Sequence, residues 1–355
     1  MRIPMNLAAG DGGARATSVL IPVFFRDADP DNVRLLARAL ESVQGQRFPD
    51  AHEIVLVDDG SPVPVASHLP VLGRSAQGVR VVRSARNGGV THALNQGLKA
   101  ARHPFIARLD ADDAWRPGKI EKQFALFDAD PSLTLAAAGM VLVTPEGREL
   151  GTHIRPAAWD RLLDFVVQVG CPFPHGSVLA RRDIYLALGG YPHLAAFDHC
   201  EDFALWCQWI RFFKPSMVEE VLYDYTVSSQ AVSQRHGSQQ ERASNALRAR
   251  FARLALAQTL PAALAEFASA TGLSLVAAGL VAYRMWRHGL LVALPEAAVG
   301  PLRAILPDRD VEQGPADPRA LLPRAVVAGE RGAQDADSAP GSASDWPAVI
   351  ARPLL

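Results

Sequence analysis

The sequence predicts an α/β protein built on a mostly parallel sheet flanked by helices, and three observations support this prediction. Short continuous apolar runs such as SVLIPVFF (18–25) have the length of buried strands. Amphipathic stretches of helical period separate them, so consecutive strands are joined by crossover connections, as in parallel sheets. The chain has 355 residues, of which 49% are hydrophobic, which suffices for one large core or two smaller ones.

The elements of the first half follow in order. After the first strand, DPDNVRLLARALESVQ predicts a helix with Asp29 as N-cap, Pro30 at its first position and apolar residues on one face. EIVLVDD and VRVVRS predict two strands, GVTHALNQGLKAA predicts a helix, and PFIARLD predicts a further strand. Since ligands of such sheets lie at the carboxyl ends of the strands, the acids that end these strands are candidate site residues.

The second half is less regular. A short helix follows Pro117, TLAAAGMVLV predicts a strand, and EDFALWCQWIRFF predicts a helix whose tryptophans, Trp206 and Trp209, face the core. We therefore divide the chain into a flexible amino terminus (1–16), a main domain (17–238), a helical region (239–306) and a disordered tail (307–355), in which Pro, Gly, Asp and Ser dominate.

Bulk properties exclude several classes of function. The formal net charge is -1 and no run of Lys or Arg is present, so nucleic acid is not an expected partner. Three cysteines, Cys171, Cys200 and Cys207, are too few for a disulfide framework and are expected to be reduced thiols. The amino terminus lacks the apolar region of a secretory signal, and GLSLVAAGLVAY (272–283) falls short of the roughly 20 residues that span a bilayer. A cytoplasmic protein is expected.

Two groups of acids end predicted strands. Asp58 and Asp59, in VDDGS, could accept hydrogen bonds from a nucleobase or ribose, although an ordinary Asp-Gly turn also explains them. In LDADD, Asp110 and Asp112 alternate on one side of an extended chain and can face one ligand, with Asp113 beside them. Mg²⁺ or Mn²⁺ is commonly held by one or two carboxylates together with substrate phosphates. A solvated acidic turn is the alternative.

Taken together, these segments resemble those of the family 2 glycosyltransferases, which have the A-type nucleotide-sugar-binding fold. The resemblance covers roughly residues 17 to 233 and is carried by stretches in the family's order: SVLIPVFF, EIVLVDDGS, RNGGVTHALNQGLKAA, PFIARLDADDAWRPGKIEKQ, HGSVLARRDIYLALGGYP and EDFALWCQW. It implies a nucleotide-binding half (17–116) and an acceptor-binding half (117–238). The implied reaction is inverting sugar transfer from a nucleotide-diphosphate sugar, most commonly a UDP-sugar, to a hydroxyl.

The resemblance also implies donor-binding residues. Asp58 and Asp59 would contact the nucleoside, Asp110 the ribose or a metal-bound water, and Asp112 the Mn²⁺ or Mg²⁺ that bridges the two phosphates, with Asp113 in support. Two further positions would lie beside the nucleotide, namely Pro22 at the end of the first strand and Asn87 before the glycines. For Asn87 an ordinary turn before a helix is the alternative.

The acceptor side centres on Asp202, which by resemblance is the general base. It would remove the proton of the acceptor hydroxyl as that oxygen attacks the anomeric carbon from the face opposite the diphosphate. Glu201 is assigned to substrate binding, although an acid at a helix amino terminus also interacts favourably with the helix dipole. His175 aligns with the region that lines the acceptor pocket, and a hydrogen-bonded core histidine is its alternative.

The chain departs from the family in one respect. Members often carry an Arg and a His after the base, where this chain has Thr226 and Ser228. Arg235 and His236 could supply the missing cations from a loop, or could simply be solvated. An inactive glycosyltransferase-like module that binds a carbohydrate or partner therefore stays as the alternative function.

Other enzymes of similar fold are disfavoured. A nucleotidyltransferase would need a Gly-rich loop after the first strand and a nicotinamide dehydrogenase would need G-x-G-x-x-G, and the sequence has neither. The expected partners are a nucleotide-sugar donor and a carbohydrate or lipid-linked acceptor, as in surface polysaccharide or glycoconjugate synthesis. The expected location is the cytoplasm, including peripheral contact with the inner face of its membrane.

Overall fold

One mixed sheet with helices on both faces organises the chain. The computed structural model describes residues 15–27, 29–130, 133–192, 199–227 and 237–256. The strands are β1 (Thr17–Val23), β2 (His52–Asp58), β3 (Val79–Arg83), β4 (Phe105–Arg108), β5 (Ala114–Trp115), β6 (Leu135–Val143), β7 (Glu149–His153), β8 (Leu179–Arg181) and β9 (Pro215–Thr226). The helices are α1 (Pro30–Gln44), α2 (Leu69–Leu72), α3 (Val90–Ala100), α4 (Lys119–Ala129), α5 (Trp159–Gln168), α6 (Arg182–Ala187), α7 (Glu201–Phe212) and α8 (Gly237–Leu256).

The strand order is β3-β2-β1-β4-β8-β6-β9-β5, and β7 pairs with β6 on the side. The pairs among β1, β2, β3 and β4 are parallel, as is β6 with β9. Antiparallel pairs occur where β8, β7 and β5 join the sheet. The α/β class with a mostly parallel sheet is confirmed.

Helix α1 begins as its sequence predicts. The carboxylate of Asp29 accepts a hydrogen bond of 2.9 Å from the backbone N–H of Asp31, and Pro30 occupies the first turn. Leu36, Leu40 and Val43 are buried on the face that packs on the sheet. The helix therefore runs back beneath β1 and returns the chain to the edge from which β2 starts.

Alternate residues of the central strands enter two cores. One core joins Val19 and Ile21 of β1 with α1 and α4, and the other joins Leu20 with α3, α5, α6 and α7. Trp206 and Trp209 of α7 are fully buried in the second core, as the helical period predicts. Cys171, Cys200 and Cys207 are not joined in disulfides.

Helix α8 begins at Gly237, two residues before the helical region that the sequence predicts from residue 239. It packs on α5 and α7, and the Arg248 guanidinium donates to the carbonyls of Val167 and Gln168. The predictions for 257–306, for the stretch 272–283 and for the tail 307–355 lie outside the described residues. Across the described residues, none of the helices combines the length and apolarity needed to span a bilayer.

Candidate active site

The carboxyl ends of β1, β2 and β4 lie side by side and present the acids that the sequence singles out. Val23 of β1 is in register with Asp58 of β2, and Leu20 is in register with Arg108 of β4. Pro22 is half-buried one residue before the end of β1. The strand ends therefore bring the VDDGS and LDADD segments to one edge of the sheet.

Asp58 is fully buried, and protein donors surround its carboxylate. The backbone N–H groups of Ser61 and Val65 donate at 2.8 and 3.0 Å, and the Arg83 guanidinium completes the set. Burial alone would raise the pKa of Asp58, but these hydrogen bonds outweigh it and the pKa lies below its usual value. Asp58 thus shapes the turn after β2 from within the protein.

Asp59 connects that turn to the loop that carries Asn87. Its carboxylate accepts hydrogen bonds from the backbone N–H groups of Gly88, at 3.1 Å, and Gly89, at 2.7 Å. Burial raises the pKa of Asp59, and the two N–H groups partly offset this effect. Asn87 itself is exposed. The two predicted nucleoside-binding segments are therefore in contact.

Asp113 ties the LDADD loop to β9. Its carboxylate accepts hydrogen bonds from the Tyr223 hydroxyl and, at 2.7 Å, from the backbone N–H of Thr226. The side chain is buried, and burial together with the charges of Asp112 and Asp110 raises the pKa of Asp113 well above its usual value. Asp113 thus lies beneath the loop, and its hydrogen bonds to β9 hold the segment that carries Asp110 and Asp112.

Asp110 and Asp112 have different surroundings. Asp110 is partly exposed and forms an ion pair with the buried guanidinium of Arg108. The carboxylate of Asp112 receives no hydrogen bond from another side chain in the described part of the molecule. Burial and the charge of Asp110 raise the pKa of Asp112 to about 6. The nearby charges of Arg108 and Arg38 only partly offset this rise, and two adjacent carboxylates in this state form an arrangement that a cation would stabilise.

The donor set fits a divalent cation shared with a substrate. No cluster of three or more His, Cys, Asp or Glu in the described ranges is placed to hold a metal by itself. Mg²⁺ and Mn²⁺, however, are usually bound through one or two carboxylates plus substrate phosphates. Asp112, with Asp110 next to it, supplies that smaller number of oxygen ligands.

The first residues of α7 face the same region. Asp202 accepts a hydrogen bond of 2.7 Å from its neighbour's backbone N–H at Phe203, and the Cys171 thiol lies 3.9 Å from its other carboxylate oxygen. Burial raises the pKa of Asp202, while Phe203 and the charge of Arg108 lower it. Burial and Asp202 raise the pKa of Glu201 to about 7, and its buried Oε2 has no hydrogen-bond partner within the described segments.

Arg108 lies between the LDADD acids and the acids at the start of α7. It is not among the site residues that the sequence predicts. It is 3% exposed, and its charge acts on Asp112 as well as on Glu201 and Asp202. The signal that could have found it is the strand alternation that places Arg108 on the same side as Asp110.

His175 lies between the site and the second core. Its Nε2 is 2.7 Å from the Tyr191 hydroxyl, and its ring packs edge-on against Trp206. Burial and the nearby charge of Arg108 lower the pKa of His175 well below its usual value, so the ring is neutral. Thr226 is buried on β9, whereas Ser228, Arg235 and His236 lie outside the described residues.

Comparisons with known proteins agree on one family. The family model described as Glycosyl transferase family 2 matches residues 18–188. The amylovoran biosynthesis glycosyltransferase AmsE of Erwinia amylovora is 30% identical over 224 residues, which cover 62% of this chain and 79% of AmsE. The putative glycosyltransferase EpsE of Bacillus subtilis is 28% identical over 209 residues, which cover 57% of this chain and 72% of EpsE.

A solved structure of S. aureus TarS 1-349 in complex with UDP also matches. It is 17% identical with a TM-score of 0.49, and the match covers 84% of this chain and 92% of that one.

Proposed function

Because this chain belongs to glycosyl transferase family 2, we propose that it transfers a sugar from a nucleotide-diphosphate sugar to an acceptor hydroxyl with inversion at the anomeric carbon. The observation that carries the proposal is the convergence of the LDADD acids and the first residues of α7 around Arg108. A donor-binding group and a candidate base then share one site. The mostly parallel α/β sheet agrees with the A-type fold of this family.

The donor half of the site is proposed to bind the nucleotide along the carboxyl ends of β1 and β2. Asp59 and the loop at Asn87 would contact the nucleoside together with Pro22, whereas Asp58 would hold the turn that presents them, because protein donors surround its carboxylate. A uridine nucleotide is the first choice for the base, as the most common donor in the family.

Asp112 and Asp110 are proposed to hold Mn²⁺ or Mg²⁺ together with the diphosphate. The cation would neutralise charge on the departing diphosphate, which lowers the barrier to its departure. Arg108 orients the Asp110 carboxylate through their ion pair. Asp113 fixes the loop beneath both acids through Tyr223 and Thr226.

Asp202 is proposed to act as the general base. Its carboxylate is held by the backbone N–H of Phe203 at the start of a buried helix, so its position is defined before the acceptor arrives. It would accept the proton of the acceptor hydroxyl while that oxygen attacks the anomeric carbon. Glu201 and His175 would line the acceptor side, and Arg235 and His236 stay candidate phosphate contacts.

The acceptor is proposed to be a carbohydrate or a lipid-linked sugar in the synthesis of a surface polysaccharide or glycoconjugate. The relative AmsE supports this choice, since its name assigns it to amylovoran biosynthesis. A cytoplasmic location, including the inner face of the membrane, is part of the same proposal.

A ligand panel tests the donor assignment. Melting temperatures of the purified chain are measured with UDP, GDP, CDP and ADP, each with Mn²⁺ or with a chelator. A nucleotide at 100 times its dissociation constant adds about 2.7 kcal/mol to the free energy of unfolding. We expect one base to stabilise the chain in Mn²⁺ and much less in chelator, and Asp112→Asn to lose the Mn²⁺-dependent part without unfolding.

Release of nucleoside diphosphate from the corresponding sugar nucleotides then separates an enzyme from an inactive binding module. An enzyme releases the diphosphate in Mn²⁺, and the release stops in chelator. Stabilisation without any release across a panel of sugars and acceptors would favour the inactive module. Full release in excess chelator would contradict the metal assignment.

A further inference from the structure

An arginine from a distant part of the chain is hydrogen-bonded to the backbone of the LDADD loop. Arg38 lies in the middle of α1, and its Nη2 donates a hydrogen bond of 2.6 Å to the backbone carbonyl of Asp112. The same nitrogen donates to the hydroxyl of Thr226 at the end of β9. That hydroxyl donates in turn to the Asp112 carbonyl at 2.5 Å. Three segments that are remote in sequence thus meet at one carbonyl oxygen.

This triangle holds the backbone of Asp112 from two sides. Thr226 is 1% exposed, and its backbone N–H is already committed to the carboxylate of Asp113. Hydrogen bonds from a guanidinium are stronger than neutral ones, and burial strengthens them further. The Asp112 main chain is therefore fixed, while its own carboxylate stays free of side-chain donors in the part of the chain that is described.

We propose that Arg38 and Thr226 are positioning residues that hold Asp112 in the orientation that binds the divalent cation, an inference that rests on the proposed function. Outer partners of a metal ligand fix its direction, and their removal typically weakens metal binding about 10- to 100-fold.

Thr226→Val is the principal test. Valine has the shape of threonine and keeps the backbone N–H that bonds Asp113, but it removes the hydroxyl from the triangle. Binding of UDP is measured by calorimetry in Mn²⁺ and in chelator, and binding of Mn²⁺ alone is measured by electron paramagnetic resonance. We expect affinity in Mn²⁺ to fall about 10-fold or more, while UDP affinity in chelator and the melting temperature stay close to those of the wild type.

A pair of conservative variants on α1 supplies the control. Arg38→Lys keeps the charge but loses the guanidinium Nη2 that donates to both oxygens, so it should also weaken binding that depends on Mn²⁺. Arg34 lies one turn earlier, is exposed, and bonds Asp31 and the Pro145 carbonyl instead. Arg34→Lys should leave both affinities unchanged.

The outcomes separate this inference from the proposed function. Folded Thr226→Val and Arg38→Lys variants with wild-type Mn²⁺ dependence overturn the inference alone, and so does an equal loss in Arg34→Lys. A wild-type chain that binds UDP equally with and without Mn²⁺ overturns the metal assignment and this inference with it.

Discussion

At the scale of single residues, the candidate site places four partly or fully buried acids around the buried guanidinium of Arg108. Arg108 pairs with Asp110, and its charge also acts on Asp112, Glu201 and Asp202. Arg108 and the neighbouring Arg38 do not compensate four carboxylates, and burial raises the pKa of Asp112, Glu201 and Asp202. The excess negative charge is the physical basis for expecting a cation in the loaded site.

The direction in which Glu201→Gln changes the melting temperature distinguishes two explanations of why Glu201 lies at the start of α7. Burial and Asp202 raise the pKa of Glu201 to about 7, above the ordinary value of 4.5 that this group has in the unfolded chain. Between these values the folded state holds a proton that the unfolded state has lost, so stability falls as the pH rises through this window. Glu201→Gln should therefore melt higher than the wild type at pH 8 and at about the same temperature at pH 4.

Thermal unfolding at pH 4, 6 and 8 makes this comparison. If Glu201 served mainly to interact with the dipole of α7, its removal would lower the melting temperature at pH 8 instead. That result would contradict the buried, uncompensated state of this side chain.

The sequence predicts some of these residues and not others, for a physical reason. Asp110 and Asp112 follow from the alternation of an extended chain, which is local information. The bond from Arg38 to Asp112 spans 74 residues and depends on how α1 packs beneath the loop. One donor to Asp58, the Arg83 guanidinium, likewise comes from the neighbouring strand. The residue types at a strand end are enough to predict a site, whereas the hydrogen-bond partners of each side chain can be identified only from the packed fold.

At the scale of elements, the turn after β2 determines where the nucleotide loop lies. Gly60 has a φ of +70°, and a Cβ there would lie 2.4 Å from the backbone carbon of Arg86 and 2.6 Å from the Asn87 nitrogen. Asp59, on one side of this glycine, bonds the backbone at Gly88 and Gly89. The turn after β2 and the Asn87 loop therefore pack against each other through backbone atoms and form one unit.

Gly60→Ala tests this unit, with Gly78→Ala as the matched control. Gly78 has a similar φ of +73°, but nothing lies within 4 Å of an added Cβ. We expect the control to lose about 1 kcal/mol, the cost of a left-handed alanine, and Gly60→Ala to lose more than ~2 kcal/mol because backbone atoms must move. Denaturant unfolding measures both values, and equal losses would argue against close backbone contact at Gly60.

Gly60→Ala should also weaken nucleotide binding, whereas Gly78→Ala should not, because only the former displaces the Asn87 loop.

The strands and helices around this unit could be predicted because apolar periodicity is a local property. The order β4-β8-β6-β9 could not, since it depends on pairings between segments distant in sequence.

At the scale of the whole molecule, one sheet with a core on each face carries every described site residue. The site residues from Pro22 to Thr226 lie on β1 to β9 and the segments between them, and α8 packs on α5 and α7 at the second core. This arrangement predicts that nucleotide binding does not need the carboxyl-terminal tail.

Truncation after Pro307 checks that prediction. The tail lacks the apolar periodicity needed to join a core, so Mn²⁺-dependent nucleotide binding should match that of the full chain. The readouts are calorimetry and the yield of folded protein. Loss of folded protein, or of nucleotide affinity, would show that residues after 307 contribute to the domain.

The most direct test of the central claim, sugar transfer with Asp202 as the base, is the turnover and donor affinity of Asp202→Asn beside those of Glu201→Gln. Asparagine keeps the shape of Asp202 but does not accept the proton, so kcat should fall by roughly 10²- to 10⁴-fold with donor affinity unchanged, while Glu201→Gln costs much less. Equal losses in the two variants, or an Asp202→Asn variant that mainly loses donor affinity, would contradict the assignment of the base.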